Sequence, residues 1–224
     1  MIYQNVKEGI FIQRDNRFIA RVNVDGKEEV AHVKNTGRCK ELLIPGVKVI
    51  LEVASNPARK TKFDLITVYK ESVGWVNIDS QIPNDVVAEY LESRPAPFEN
   101  VTFIKREYTF GSSRFDFYME AGEEKILLEV KGCTLEKNGM GYFPDAPTTR
   151  GVKHLKELIN ARKQGYRCYL AYVIAMEHVG HVLPNGETHP AYVSAIEEAK
   201  DAGVEIIYLS CKVTPNEITA KTKP

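Results

Sequence analysis

The sequence predicts two domains of different class, an all-β domain over residues 1–80 and a mixed α/β domain over residues 81–224. Short segments in which apolar and polar residues alternate fill the first domain, and this period of two is typical of β-strands. After residue 80, segments with apolar residues at helical spacing alternate with strand-like segments. The 224 residues are enough to bury a hydrophobic core in each of two domains.

The strands of the first domain are short and closely spaced. They are expected in the segments GIFIQRD, RFIARVNVDGKEEVAHV, VKVILEVAS, FDLITVYKES and GWVNID. Asp25-Gly26, which separates two alternating runs, predicts a tight hairpin. About five short strands within seventy residues are typical of a small barrel or sandwich, and we predict an OB-like barrel. Barrels of this kind often bind nucleic acid, which we expect of this domain, although fold alone does not establish function.

The second domain is predicted to begin with a helix in SQIPNDVVAEYLESRPAPF, which has Pro83 in its first turn and ends before Pro95. Three strands are expected next, in VTFIKREYTF, SRFDFYME and KILLEVKG. The segment TTRGVKHLKELINARKQGY predicts a second helix, capped by Thr148 or Thr149. The continuous apolar run RCYLAYVIAM is typical of a central strand, and PAYVSAIEEAKDAG and VEIIYLS predict a last helix and strand.

The charge balance and the cysteines restrict the possible classes of function. The 30 Lys and Arg residues equal the 30 Asp and Glu residues, so a basic surface requires local clustering. No stretch reaches the ~18 apolar residues of a membrane span, and charges follow the first residues too soon for a secretory signal. The four cysteines are scattered without a Cys-x-x-Cys motif, which favours reduced core thiols. We therefore expect a cytoplasmic protein without a membrane partner, and leave open whether it forms a homodimer.

Three charged residues interrupt the apolar strands of the second domain. Glu129 and Lys131 are two apart on one strand and therefore face the same side of it, and Asp116 lies on the preceding strand. If these strands pair, two carboxylates and an ammonium group meet at one point of the sheet. Two hard oxygen ligands suit Mg²⁺ (or Mn²⁺), and a neighbouring lysine suits phosphodiester hydrolysis.

A purely structural interpretation of the tripeptide Glu129-Val130-Lys131 is also possible, because such short patterns occur by chance. Two features favour a functional interpretation. Glu129 follows a fully apolar half-strand, and Asp116 lies between two phenylalanines in a predicted hairpin. This order of an acid, a hairpin turn and an acid-x-Lys tripeptide resembles the PD-(D/E)xK nuclease superfamily. The resemblance implies that Asp116, Glu129 and Lys131 hold a metal and activate water.

A wider resemblance covers most of the chain. The motifs HVKNTGRCKELLIPG, SRFDF, EVKGCTL and GYFPDAPTTRGVKHLKEL, in this order, resemble the sugar fermentation stimulation protein family. The resemblance implies an N-terminal OB-like barrel, a C-terminal PD-(D/E)xK nuclease-like domain, DNA binding and a role in regulating sugar metabolism. Two functions stay open: a Mg²⁺-dependent deoxyribonuclease, and a non-catalytic DNA-binding regulator of sugar (maltose) metabolism genes on a nuclease scaffold.

Candidate DNA-binding residues cluster in three segments and at one further position. Hydrogen-bond donors in the loop around Thr36-Gly37 and in the segment NPARKTKFD can contact phosphates. Cations at the start of the second predicted helix can do the same. The candidates are Lys34, Asn35, Arg38, Arg59, Lys60, Lys62, Arg114, Arg150, Lys153 and His154. Without a helix-turn-helix pattern, binding without strong sequence specificity is expected.

Several alternatives remain open for individual side chains. The charged loops can be ordinary solvated surface, and Arg114 can pair with the acids instead of with phosphate. His154 can complete a core hydrogen bond or take part in catalysis. Glu107 is a candidate third metal ligand, and Trp75 is expected in the core rather than as a platform for base stacking. A small-molecule enzyme of sugar metabolism has little support, because neither a Walker loop nor a dinucleotide fingerprint is present.

Overall fold

Two six-stranded sheets organise the chain, one in each half of the sequence. The computed structural model describes residues 1–56 and 58–221, so Pro57 and the last three positions of the predicted second domain lie outside the described residues. Within the described part, no helix is long and apolar enough to cross a membrane.

The first sheet closes into a barrel. Its strands are β1 (Val6–Arg14), β2 (Ile19–Val24), β3 (Lys27–Val33), β4 (Lys48–Val53), β5 (Phe63–Lys70) and β6 (Gly74–Asn77). Strands β1, β2 and β3 form a meander, β4 pairs with both β1 and β5, and a parallel pairing of β3 with β5 closes a barrel of five strands. Strand β6 extends the sheet beyond β5.

The predicted hairpin at Asp25-Gly26 is confirmed. Both residues have positive φ angles, 52° and 81°, as a two-residue turn of the type I′ class requires. The side-chain oxygen of Asn23 accepts a hydrogen bond from the Gly26 amide at 3.0 Å and supports the turn.

The second domain contains three helices and the remaining strands. Its elements are α1 (Ile82–Glu92), β7 (Phe103–Phe110), β8 (Ser113–Ala121), β9 (Glu124–Cys133), β10 (Leu135–Lys137), β11 (Met140–Phe143), α2 (Thr149–Lys163), β12 (Arg167–Ile174), β13 (Val182–Pro184), α3 (Pro190–Asp201), β14 (Glu205–Thr214) and β15 (Glu217–Ala220). The large sheet has the order β15-β14-β12-β9-β8-β7. Strand β12 lies parallel between β9 and β14, which confirms the central strand predicted from its continuous apolar run.

The helices cover both faces of this sheet. Helix α1 buries Val86 and Leu91 in a hydrophobic cluster on one face, while α2 and α3 bury Leu158 and Ile196 in a cluster on the other. The second cluster continues into the interior of the barrel, so the two domains share an apolar contact. All four cysteines are buried and unpaired, as predicted.

Four strands are absent from the sequence prediction. Strands β10, β11 and β13 form a small separate sheet, and β15 pairs with the end of β14. Each of them has only three or four residues, which is too short for an alternating pattern to be distinguished from a loop.

Candidate functional site

The antiparallel pairing of β8 and β9 brings Asp116 next to Glu129. Phe117 lies opposite Leu128 in the register, so the next positions along the two strands are Asp116 and Glu129. The backbone N–H of Val130 donates a hydrogen bond of 2.7 Å to Oδ2 of Asp116. The two acids and Lys131 therefore meet at one place in the sheet.

The start of α1 supports Asp116 from the other side. Nδ2 of Asn84 donates a hydrogen bond of 2.8 Å to Oδ1 of Asp116. A Cβ atom placed on Gly132 would lie only 2.9 Å from the side chain of Pro83, so this position of β9 needs glycine for the helix to approach. Burial raises the pKa of Asp116, and the nearby charge of Glu129 raises that pKa further.

Glu129 is almost completely buried, with 2% of its surface exposed. Its Oε1 atom accepts hydrogen bonds from Nζ of Lys131 and from Nδ1 of His154. Burial alone would raise the pKa of Glu129, but these two partners outweigh it and hold the pKa below its ordinary value. The other oxygen, Oε2, is also buried and has no hydrogen-bond partner among the described residues.

His154 makes the core hydrogen bond that was one of the alternatives for it, and not the predicted contact with DNA. It is buried on α2, with 5% of its surface exposed, and it binds Glu129 instead of presenting its ring to DNA. Its Nε2 atom accepts a hydrogen bond of 3.3 Å from Nε of Arg150, so Nδ1 carries the hydrogen of the neutral ring. The sequence held a signal for this burial, because His154 falls three residues after Gly151 and four before Leu158 on the buried stripe of α2.

The oxygen atoms of this cluster fit a divalent cation. Asp116 and Glu129 supply two carboxylates, and Oε2 of Glu129 is a buried acceptor that a cation would satisfy. Mg²⁺ commonly takes one or two protein carboxylates and keeps several waters. Among the described residues, no group of three His, Cys, Asp or Glu side chains could hold a metal. Glu107, the candidate third ligand, is exposed, and its carboxylate pairs with Arg114 at 3.5 Å.

Three predicted DNA contacts have partners inside the protein instead. Nζ of Lys34 lies 2.9 Å from a carboxylate oxygen of the buried Asp79. The side-chain amide of Asn35 donates to the carbonyl of Ile78 at 2.8 Å. Arg59 binds both carboxylate oxygens of Asp64, at 2.7 and 2.9 Å. These contacts give all three side chains a structural role, and their contact with DNA stays a prediction.

The other predicted cations are exposed and lie in three places. Lys60 and Lys62 are in the loop between β4 and β5 of the barrel, and Lys62 lies 3.7 Å from Glu29. Arg114, Arg150 and Lys153 surround the start of α2, where Nζ of Lys153 donates to the carbonyl of Ser112 at 2.7 Å. Thr148 caps this helix, as one of the two predicted candidates, by accepting a hydrogen bond of 3.0 Å from Gly151. Arg38 is exposed on the barrel side of a cleft between the domains.

Trp75, the only tryptophan, packs half-buried against the cluster beneath α1. Its ring lies edge-on to that of Tyr69, with 5.2 Å between the centroids. The predicted packing role is therefore met at the margin of the core.

Comparison with known proteins shows the family. The model of the SfsA N-terminal OB domain matches residues 12–78, which confirms the OB-like barrel, and the model of the sugar fermentation stimulation protein RE domain matches residues 81–217. The sugar fermentation stimulation protein homolog of Desulfitobacterium hafniense (strain Y51) is 53% identical over 220 residues, covering 98% of this chain and 95% of the relative. That of Clostridium beijerinckii is 51% identical over 221 residues, covering 99% and 97%.

A solved structure covers the same range. The structure of Pyrococcus furiosus SfsA in complex with Ca²⁺ matches with a TM-score of 0.87 and 28% identity, and the match covers 99% of this chain and 96% of that one. The two domain models and the curated relatives agree with the family predicted from the four sequence motifs. The chain belongs to the sugar fermentation stimulation protein (SfsA) family.

Proposed function

We propose that this protein binds DNA and hydrolyses its phosphodiester bonds at Asp116, Glu129 and Lys131 with Mg²⁺ or Mn²⁺ as cofactor. The observation that carries this proposal is the buried Oε2 atom of Glu129, which lacks a partner among the described residues and belongs to a carboxylate beside Asp116. A buried acceptor without a donor is costly, and a cation would satisfy it. The same cation would offset the repulsion between the two acids, which raises the pKa of Asp116.

The complex of the Pyrococcus furiosus relative with Ca²⁺ supports a divalent site in this family. Ca²⁺ and Mg²⁺ are both hard cations that take oxygen ligands, and Mg²⁺ needs fewer of them from the protein. A bound divalent cation would polarise the phosphate and stabilise the charge that develops on it.

The surrounding side chains position the reacting groups. His154 and Lys131 both hold Oε1 of Glu129, which leaves Oε2 as the oxygen available to a cation. Asn84 and the amide of Val130 fix the two oxygens of Asp116 in the same way. The side chain of Lys131 is 16% exposed, and its ammonium group would offset negative charge on a phosphate bound beside Glu129.

Two exposed basic surfaces suit the phosphates of DNA. Arg114, Arg150 and Lys153 lie around the N-terminus of α2, where backbone N–H groups and the helix dipole also favour an anion. Lys60 and Lys62 lie in the β4–β5 loop of the barrel, and OB-folds bind oligonucleotides with this loop. Contacts of this kind are made to the backbone, so binding without strong sequence specificity follows.

Incubation of the protein with labelled single- and double-stranded DNA tests the catalytic proposal. We expect cleavage with Mg²⁺ or Mn²⁺, none with a chelator, and none for Glu129→Gln. Glu123→Gln, at an exposed glutamate in the turn before β9, is the matched control and should cleave normally. Cleavage by Glu129→Gln at the wild-type rate would contradict the assignment of the site.

The alternative is a DNA-binding regulator of sugar (maltose) metabolism genes that has kept the scaffold without catalysis. It is favoured by the two protein partners of Glu129, because Lys131 and His154 both bind its Oε1 atom and give this buried acid a structural role. This alternative predicts salt-dependent DNA binding in the presence of a chelator and no cleavage with any divalent cation. Cleavage that Glu129→Gln abolishes would exclude it.

A further inference from the structure

A cleft of about 540 Å³ separates the barrel from the sheet domain. The barrel contributes the loop at residues 35–38 together with Arg17, and the sheet domain contributes residues 143–148 from the loop before α2. Gly132 and Pro83 line the same cleft. Because Gly132 directly follows Lys131 and Pro83 precedes Asn84, the cleft reaches the residues that surround the acid pair.

One half-buried arginine holds the barrel loops that line this cleft. The guanidinium group of Arg14 donates hydrogen bonds to the carbonyls of Arg17, Asn35, Gly37 and Arg38, at distances between 2.6 and 2.9 Å. This single group therefore fixes the backbone of two loops relative to each other. The fixed backbone places the side chains of Arg17 and Arg38 together at the cleft.

Arg17 and Arg38 are available to an external anion. Both are exposed, both line the cleft, and neither forms an ion pair with any residue in the described ranges 1–56 and 58–221. Two cations that line one cleft both attract an anion that enters it. Guanidinium groups bind phosphate in a two-pronged geometry, so a phosphate group is the anion that fits best.

The interior of the cleft has a different chemistry from this basic edge. Asp79 and Asp145 supply carboxylate oxygens, and Ile78, Pro83 and Pro147 supply apolar surface. Oδ2 of Asp145 packs so closely against Gly37 that an added Cβ would lie 2.1 Å away, so a larger residue at position 37 would displace this carboxylate. This arrangement of groups matches a ligand that has an anionic end, a flat apolar body and hydrogen-bond donors. A nucleotide has all three.

We propose that the cleft binds one unpaired nucleotide of a nucleic acid strand, with its phosphate on Arg17 and Arg38 and its base between the domains. The volume supports this choice, because about 540 Å³ falls within the roughly 300–1,000 Å³ of small-molecule sites. A base held between the domains cannot at the same time be stacked and paired inside a duplex. The proposal rests on the nucleic-acid binding proposed above and adds a preference for unpaired strands.

The test measures the affinity of the full-length protein for a labelled single strand and for the matching blunt duplex, with a chelator present. We expect the wild type to bind the single strand at least about 10-fold more tightly than the duplex, because the stacking of one base on the protein is worth about 1–3 kcal/mol. Arg17→Gln/Arg38→Gln should lose this preference. Lys27→Gln/Lys212→Gln removes the same charge at exposed positions outside the cleft and should keep it.

Equal affinity of the wild type for single strand and duplex would overturn the proposal, as would an absence of binding to either. An equal loss of preference in both double variants would also overturn it, because general charge would then explain the binding.

Unfolding midpoints of all variants are measured alongside, and the arginine variant should match the control within the error. Cleavage is measured separately with Mg²⁺. A single-strand preference that depends on Arg17 and Arg38 without cleavage would refute catalysis while supporting the cleft.

Discussion

His154 donates a hydrogen bond from Nδ1 to Oε1 of Glu129, so a side chain of helix α2 fixes the orientation of an acid on strand β9. Both groups are buried, and their contact joins the helix to the sheet at the candidate metal site. The same oxygen also accepts a hydrogen bond from Lys131, which leaves Oε2 as the free acceptor. Three predictions concern this cluster, and two concern the barrel and the DNA surface.

Removing the histidine should destabilise the fold. His154→Ala leaves the buried Glu129 with one donor fewer, and the loss of such a hydrogen bond to a charged group costs about 1–3 kcal/mol. Urea denaturation gives the free energy of unfolding. His154→Asn, whose amide can donate from a similar position, should recover part of the loss. Lys156→Ala, at an exposed position of the same helix, is the control, and equal stability of His154→Ala and this control would contradict the prediction.

The two acids should affect the pH dependence of stability with opposite signs. The pKa of Asp116 is raised above its ordinary 3.8, so the unfolded chain loses this proton at a lower pH than the folded protein does. The free energy of unfolding therefore falls as the pH rises above 3.8, until the pKa of the folded state is passed. The pKa of Glu129 is lowered below its ordinary 4.5, so its contribution to stability is present above 4.5 and is lost as the pH falls through the folded-state pKa.

Denaturation of two variants over a range of pH checks these signs without added metal. Asp116→Asn should lose the fall in stability above pH 3.8, and its stability relative to the wild type should increase toward neutral pH. Glu129→Gln should be less stable than the wild type at neutral pH and approach it in acid. If the stability of both variants relative to the wild type changed with pH in the same direction, the assigned pKa shifts would be contradicted.

Two neighbouring cations in the β4–β5 loop should behave differently. Arg59 binds both oxygens of the buried Asp64, so Arg59→Ala should lower the free energy of unfolding by about 1–3 kcal/mol. Lys60 is exposed, so Lys60→Ala should leave stability unchanged within about 0.5 kcal/mol and weaken DNA binding. Thermal unfolding and DNA titration of both variants separate the roles. A larger stability loss for Lys60→Ala than for Arg59→Ala would be the opposite result.

DNA binding should depend strongly on salt. Each phosphate contact contributes about −0.9 to the slope of log K against log salt for a duplex and about −0.7 for a single strand. Lys153→Ala should reduce the magnitude of the slope by about one contact and weaken binding to all sequences alike. Fluorescence anisotropy between about 50 and 200 mM salt measures the slope. Lys27→Ala is the control, and an unchanged slope for Lys153→Ala would remove this residue from the DNA surface.

The sequence carried enough information for the long elements and for the acid pair. Alternation in the barrel strands, the apolar run of β12, Pro83 in the first turn of α1 and the Thr148 cap of α2 are local patterns, and each sets one element directly. Glu129 and Lys131 share a face because residues two apart on a strand always do. Asp116 could be placed beside them because a short hairpin leaves adjacent strands little choice of partner.

Other features depend on contacts between distant parts of the chain. The partners of Lys34 and Asn35 come from other strands and loops, so polar side chains that look free in the sequence are paired in the fold. Asn84 approaches Asp116 only because α1 packs against β9. The four loop carbonyls that surround Arg14 have no pattern in the sequence at all.

The most direct test of the candidate metal site is anomalous diffraction from crystals of the protein soaked in Mn²⁺. One anomalous peak is expected, about 2.1 Å from a carboxylate oxygen of Asp116 and about the same distance from one of Glu129. This distance is typical of a small divalent cation. The peak should be absent from Asp116→Asn crystals treated in the same way. Wild-type crystals with no peak between these two acids, or with the strongest peak elsewhere in the protein, would contradict the account.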